Sequence, residues 1–166
     1  MDDRALVAGQ LGREPRAFLR VTVRCPFGYP AVTEQAPYDD KGHPFPTTYY
    51  VTCRHLVAAV SRIEAAGGVE RWSEAARRDP DLVASLDWGN EDQRAVRRAL
   101  AGTGPWPDGG GSLALGIGGS SRRGSLKCLH AHVAYAFAHP EYELGRRIVA
   151  ELEPLWPADR CCSEPG

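Results

Sequence analysis

The clearest periodicity along the chain lies at residues 18–25, Phe-Leu-Arg-Val-Thr-Val-Arg-Cys. Leu19, Val21, Val23 and Cys25 alternate with Phe18, Arg20, Thr22 and Arg24, which predicts a strand with one apolar face. The Pro26 to Pro30 segment stops it, and a second short strand follows through Ala31–Gln35. Asp39-Asp40-Lys41-Gly42 predicts a turn, with the glycine supplying a positive φ. Residues 47–53 are β-branched and aromatic and predict a third strand, with Thr47, Tyr49, Val51 and Cys53 on one face.

Helical spacing takes over from there. Leu56, Ala59, Val60 and Ile63 form one stripe, with Thr52 as the expected cap and Gly67-Gly68 as the stop. Residues 69–78 read as a short polar helix. Asp79-Pro80 starts another, with Asp79 as N-cap and Pro80 in its first turn. Gly89 is expected to interrupt it, and a separate charged helix is expected through Arg94–Ala101. The glycine-rich segment 102–124 contains Leu113, Leu115 and Ile117 in alternation, which predicts a brief strand. Ser125 is the expected cap of a last pair of helices, 126–138 and about 141–152. A short helix at 3–11 completes the series. The order is β-rich first and helical later. It predicts an α+β fold: a small N-terminal antiparallel sheet followed by a mostly helical second half. The expected organisation is one domain over 1–156 and a flexible tail over 157–166.

Composition narrows the function classes. The chain has 166 residues, 20 basic and 21 acidic, for a formal net charge of -1. Such a balance carries no specific nucleic-acid signal. No apolar run approaches the ~20 residues of a membrane span, and the first residues contain no apolar stretch of the export type. A cytoplasmic protein with reduced cysteines is therefore expected. The five cysteines are an odd number and fit a disulfide framework poorly.

Cysteine and histidine positions hold the candidate chemistry. Cys25 and Cys53 end strands, and Cys128 opens a helix, with Lys127 beside it. Helix N-termini and cationic neighbours favour thiolate, the form that binds metals and attacks electrophiles. Cys25, Cys53 and Cys128, completed by His130 or His132, would suit Zn²⁺ or an iron–sulfur cluster. Helical spacing favours His132, four residues from Cys128. No Cys-x-x-Cys pair exists, and burial as small apolar side chains is the competing reading of the same cysteines. Cys161 and Cys162 read as exposed thiols of the tail, and His43 and His139 as loop residues. Cys128 is also a candidate nucleophile, with His130 or His132 as base.

A second feature is the glycine loop running into basic residues. Backbone amides at Gly118 and Gly119, with Arg122, Arg123 and Lys127, form a candidate site for a small anionic ligand. The segment is not a P-loop, because Ser125-Leu126 follows Gly124 where Lys-Ser/Thr is required. It is not a dinucleotide fingerprint either.

Gln10-Leu11-Gly12-Arg13, Arg24-Cys25-Pro26-Phe27-Gly28-Tyr29-Pro30, Pro44 through Cys53, Ser61 through Gly67 and Leu126-Lys127-Cys128-Leu129-His130 together resemble a bacterial family, domain-of-unknown-function family 501. The resemblance covers about residues 4–150. It matches Cys25, Pro26, Gly28, Cys53, Lys127, Cys128 and His130 to family motifs, and Arg54-His55 departs where a proline is expected after the cysteine. It implies His130, not His132, as a site residue. It implies no activity, but members are encoded near genes for a septum-formation initiator and an exopolyphosphatase, which implies a link to division or phosphate metabolism. Three functions remain open. One is a Cys/His metal site beside an anion-binding loop. Another is a metal-free module that binds a protein partner in division or envelope processes. The last is a thiol-dependent enzyme using Cys128.

Overall fold

The computed structural model describes residues 2–165. Three strands, β1 (Phe18–Arg24), β2 (Pro30–Gln35) and β3 (Tyr49–Val51), form one antiparallel sheet in the order β1-β2-β3. Helix α1 (Asp3–Leu11) precedes it. Helices α2 (Arg54–Ala65), α3 (Gly68–Arg78), α4 (Pro80–Ala101), α5 (Leu129–Ala138) and α6 (Glu143–Ala150) follow. This is the expected α+β order, sheet first and helices after. No helix among the described residues is long and apolar enough to cross a membrane.

The middle strand β2 is buried at all six positions, because neighbouring elements cover both of its faces. Val32 pairs with Val51 of β3, and Val21 pairs with Thr33 across β1. The expected apolar face of β1 is broken at one point: Leu19 is 46% exposed. Between Phe18 and Arg20, β1 advances two residues while β2 advances one, from Gln35 to Glu34. That bulge puts Leu19 out of phase with Val21 and Val23.

Helix α5 is the central element. Seven of its ten residues are buried, on every side of the helix, which is the pattern of a helix enclosed by its neighbours. It packs on β3, α2 and α6. Contact with α6 is close because Gly145 has no side chain: a Cβ there would sit 2.6 Å from Ala136 Cβ and 2.7 Å from the His132 carbonyl oxygen.

Two expectations are corrected in the helical half. Helix α4 runs unbroken through Gly89. Tyr142 and Ile117 press on that point, where a Cβ would lie 2.9 Å from Tyr142 Cε1 and 3.0 Å from Ile117 Cδ1, so only a glycine fits without a shift. Leu113, Leu115 and Ile117 do not form a strand. The segment turns twice in 3-10 conformation, at Gly111–Ala114 and Ile117–Gly119. Its groups bond to α4, not to a sheet edge: Gln93 Nε2 donates to Leu115 O at 3.1 Å, and Ile117 N to Asn90 Oδ1 at 2.9 Å.

Arg97 of α4 is wholly buried. Its guanidinium donates to Phe45 O at 2.9 Å, Ser112 O at 3.3 Å and Thr48 Oγ1 at 3.5 Å. One side chain thereby fixes the long β2–β3 connection and the glycine-rich segment to the same helix. Burial pushes its pKa down from the usual value, against the opposing charges of Tyr38 and Asp108.

Gly89→Ala tests the packing explanation. Helix propensity alone would make alanine more stable by about 1 kcal/mol. Overlap with the Tyr142 ring reverses the sign, so the variant should be destabilised by about 1–3 kcal/mol in denaturant unfolding. A stabilised variant would show that the Tyr142 contact gives way freely.

Candidate functional site

The site forms where the C-terminal turn of α2 meets the N-terminus of α5. Cys128 is the N-cap of α5 and is extended, with φ -157° and ψ 125°. The helix therefore starts at Leu129, not at 126 under a Ser125 cap. An acceptor is needed for the first free amide of the helix, and Glu64 supplies it: Oε1 accepts from Leu129 N at 2.8 Å. The same oxygen lies 3.2 Å from His130 Nδ1. Cys128 Sγ lies 3.7 Å from that same nitrogen. Sulfur, imidazole nitrogen and carboxylate oxygen thus converge within 4.8 Å of one another, and Glu64, Cys128 and His130 are the one such group of three or more potential metal ligands among the described residues.

His130 Nε2 points the other way, 3.4 Å from both Ser61 Oγ and Val57 O. The Cys128 contact raises the His130 pKa above the usual imidazole value. Burial opposes the shift, and the Glu64 carboxylate reinforces it.

Cys128 and His130 border a cleft of about 500 Å³. Its walls come from α1 (Gln10, Leu11), β3 and its flanks (Thr47 and Tyr49 through Thr52), and α2 (Arg54, Val57), with Gly118 and Ala131 across from them. The lining is mostly apolar, and Arg54 is its cationic side chain. The Arg54 guanidinium is itself held by Gly9 O at 2.7 Å and Gln10 O at 3.2 Å.

The sequence-predicted residues are distributed differently from the expected four-ligand cage. Cys128 and His130 come together, but Cys25 and Cys53 do not join them. Cys25 Sγ contacts Cys161 Sγ at 3.8 Å, and Cys53 Sγ contacts Cys162 Sγ at 3.7 Å. The tail thiols are therefore not simply exposed: Cys161 is only 4% exposed.

His132 lies elsewhere as well. The i, i+4 argument assumed that Cys128 was helical, and its extended backbone removes that relation. His132 is buried, with Nδ1 2.7 Å from Tyr142 Oη and Nε2 unpartnered. His139 is more than a loop residue: it caps α5, stacks on Tyr135 and places Nε2 2.9 Å from Tyr49 Oη.

Of the expected anion-site residues, Gly118 alone borders the cleft. Gly118 and Gly119 both have positive φ. Arg123 is turned outward to Asp87 at 3.0 Å, and neither Arg122 nor Lys127 lines the cleft. Glu64 and Arg54 are the functional positions that spacing alone misses. Glu64 is 65 residues from its backbone partner, so no local pattern announces it.

Burial pushes the His132 pKa down to about 3. The unfolded chain protonates this imidazole near pH 6.5, whereas the folded protein does not. The stabilisation is therefore complete above pH 6.5 and is lost as pH falls toward 3. His132→Asn should flatten this part of the stability–pH curve relative to the parent protein, by several kcal/mol across the window at about 1.4 kcal/mol per pH unit. Parallel curves for the two proteins would contradict a neutral buried imidazole.

No curated protein and no solved structure matches the chain. A family model described as "Protein of unknown function (DUF501)" matches residues 21–150. That match takes in β2, β3, most of β1 and the Glu64–Cys128–His130 group, and the chain belongs to the DUF501 family.

Proposed function

We propose that the cleft is a single-metal site in which Glu64, Cys128 and His130 hold a divalent transition metal, zinc by the chemistry of the donors, with one coordination position left to a ligand. The observation that carries this reading is the convergence of three different donor atoms at the edge of a cleft. A tetrahedral zinc with Zn–S about 2.3 Å and Zn–N or Zn–O about 2.0–2.1 Å sets S···N about 3.5 Å and N···O about 3.3 Å apart. The distances here are 3.7 Å and 3.2 Å. Three protein ligands with a fourth position open is the arrangement of catalytic, not structural, zinc sites. A metal so placed would act as a Lewis acid toward whatever enters the cleft. Arg54 on the cleft wall favours a small anionic occupant. The Leu129 amide fixes the Glu64 carboxylate, as an outer-shell partner fixes a metal ligand.

The same geometry weighs against Cys128 as a nucleophile driven by a His–carboxylate pair. In such a relay the cysteine and the carboxylate sit on opposite imidazole nitrogens. Here both face Nδ1, while Nε2 meets Ser61 and Val57.

Elemental analysis of untagged protein reconstituted with zinc tests the proposal. Near-stoichiometric zinc is expected. Glu64→Gln, Cys128→Ser and His130→Ala should each weaken binding by about tenfold or more, whereas Cys161→Ser should not. Glu64→Gln keeps an acceptor for Leu129 N and so preserves the helix start. Zinc content that ignores all three substitutions would overturn the reading.

A further inference from the structure

The remaining four cysteines form a second arrangement, separate from the cleft group. Two adjacent tail residues each meet one cysteine of the sheet region: Cys161 meets Cys25 at 3.8 Å, and Cys162 meets Cys53 at 3.7 Å. No third potential ligand joins either pair within 4.8 Å among the described residues. The pairs touch through the adjacent tail thiols, because Cys161 also hydrogen-bonds to Cys162, but the close sulfur contacts are Cys25–Cys161 and Cys53–Cys162. The sulfurs are in van der Waals contact, and a disulfide of about 2.05 Å requires them to close by less than about 2 Å.

The two pairs differ in access. Cys25 and Cys161 are both buried, which shields them from reagents. Gln10 Nε2 donates to Ser163 Oγ at 3.0 Å, holding the next tail residue in place. Cys162 is half-buried and Cys53 is buried. Cys53 is the N-cap of α2, and first-turn amides of that helix face both sulfurs, those of His55 and Leu56 toward Cys53 and that of His55 toward Cys162.

We propose that Cys53 and Cys162 are a redox-active dithiol, oxidised by low-molecular-weight disulfides to an intramolecular disulfide, with Cys162 as the attacking thiol and Cys53 as the resolving one. In the first step the Cys162 thiolate attacks one sulfur of the external disulfide, forms a mixed disulfide and releases one thiolate. In the second step Cys53 loses its proton to solvent and its sulfur attacks Cys162 Sγ, releasing the other external thiolate. Two protein thiols are oxidised, and one external disulfide is reduced to two thiols.

Electrostatics support this order of attack. Burial works to raise the Cys162 pKa, but hydrogen bonds from the His55 amide, Cys53, Ser163 and Cys161 outweigh it and leave the thiol below its usual value. Cys53, more deeply buried, is pushed up to about 12 despite the Leu56 amide. An accessible low-pKa thiol beside a buried high-pKa one is the division of labour that thiol–disulfide exchange requires. Oxidation would tie the tail to the start of α2, next to Arg54 and Thr52 of the cleft. It uses no residue of the metal group, so either proposal can fail alone.

The test is oxidation of the reduced, zinc-free full chain with glutathione disulfide at neutral pH, followed by alkylation under denaturing conditions and peptide mass mapping. A Cys53–Cys162 disulfide is expected, with Cys25 and Cys161 recovered as thiols and a higher Tm for the oxidised protein. Cys53→Ser should accumulate glutathione on Cys162, whereas Cys162→Ser should leave Cys53 unmodified. The mapping of the parent protein needs no variant to fold. Recovery of Cys53 and Cys162 as free thiols, first attack at Cys53, or a tightly bound metal released when these cysteines are alkylated would each overturn the proposal.

Discussion

One carboxylate joins the two halves of the site. Glu64 ends α2 and accepts the first amide of α5, so the start of the central helix is set by a side chain from a different helix. A negative charge at a helix N-terminus contributes about 0.5–2 kcal/mol. Its larger effect here is positional. Because α5 begins at Leu129, Cys128 is extended and its sulfur turns toward the cleft edge, while His130 lies in the first turn and presents Nδ1 to the same point.

That start is held from behind by packing. Helix α5 is enclosed by β3, α2 and α6, and its far end is tied down by polar contacts. Tyr135 Oη donates to Asp92 Oδ2 at 2.5 Å, and Tyr49 Oη lies 2.9 Å from His139 and 3.2 Å from Glu34. Glu34 is in turn paired with Arg20 at 2.7 Å. These phenols are buried, and desolvation raises the pKa of Tyr49, Tyr135 and Tyr142 alike, so they stay neutral donors and do not become charged ligands. Arg97 does the corresponding work for the loops. It holds the β2–β3 connection and the glycine-rich segment to α4, and each of these carries a part of the cleft wall, Thr47 and Gly118.

The elements were legible in the sequence because each has a period. Alternation at 18–24, β-branched residues at 49–51 and the stripe Leu56-Ala59-Val60-Ile63 all describe local backbone, and the structure agrees. What misled were residues whose role is set at a distance. Gly89 reads as a helix breaker, but Tyr142 requires it. Leu113, Leu115 and Ile117 alternate, but α4 claims their hydrogen bonds. Cys128 and His132 look like a helical pair only if the helix starts early, and Glu64, which decides the start, is remote in sequence. The tail thiols Cys161 and Cys162 carry no periodic signal at all; their significance lies in Cys25 and Cys53, more than a hundred residues away. The family resemblance singled out His130 where helical spacing favoured His132, and it is His130 that lies beside Cys128.

X-ray absorption at the zinc edge of the reconstituted protein examines the central claim directly, because it counts sulfurs around the metal. The account predicts a shell of one sulfur near 2.3 Å with nitrogen and oxygen near 2.0–2.1 Å completing it, and loss of the sulfur shell in Cys128→Ser. A shell of three or four sulfurs would place the metal on the paired cysteines instead and contradict the assignment of Glu64, Cys128 and His130.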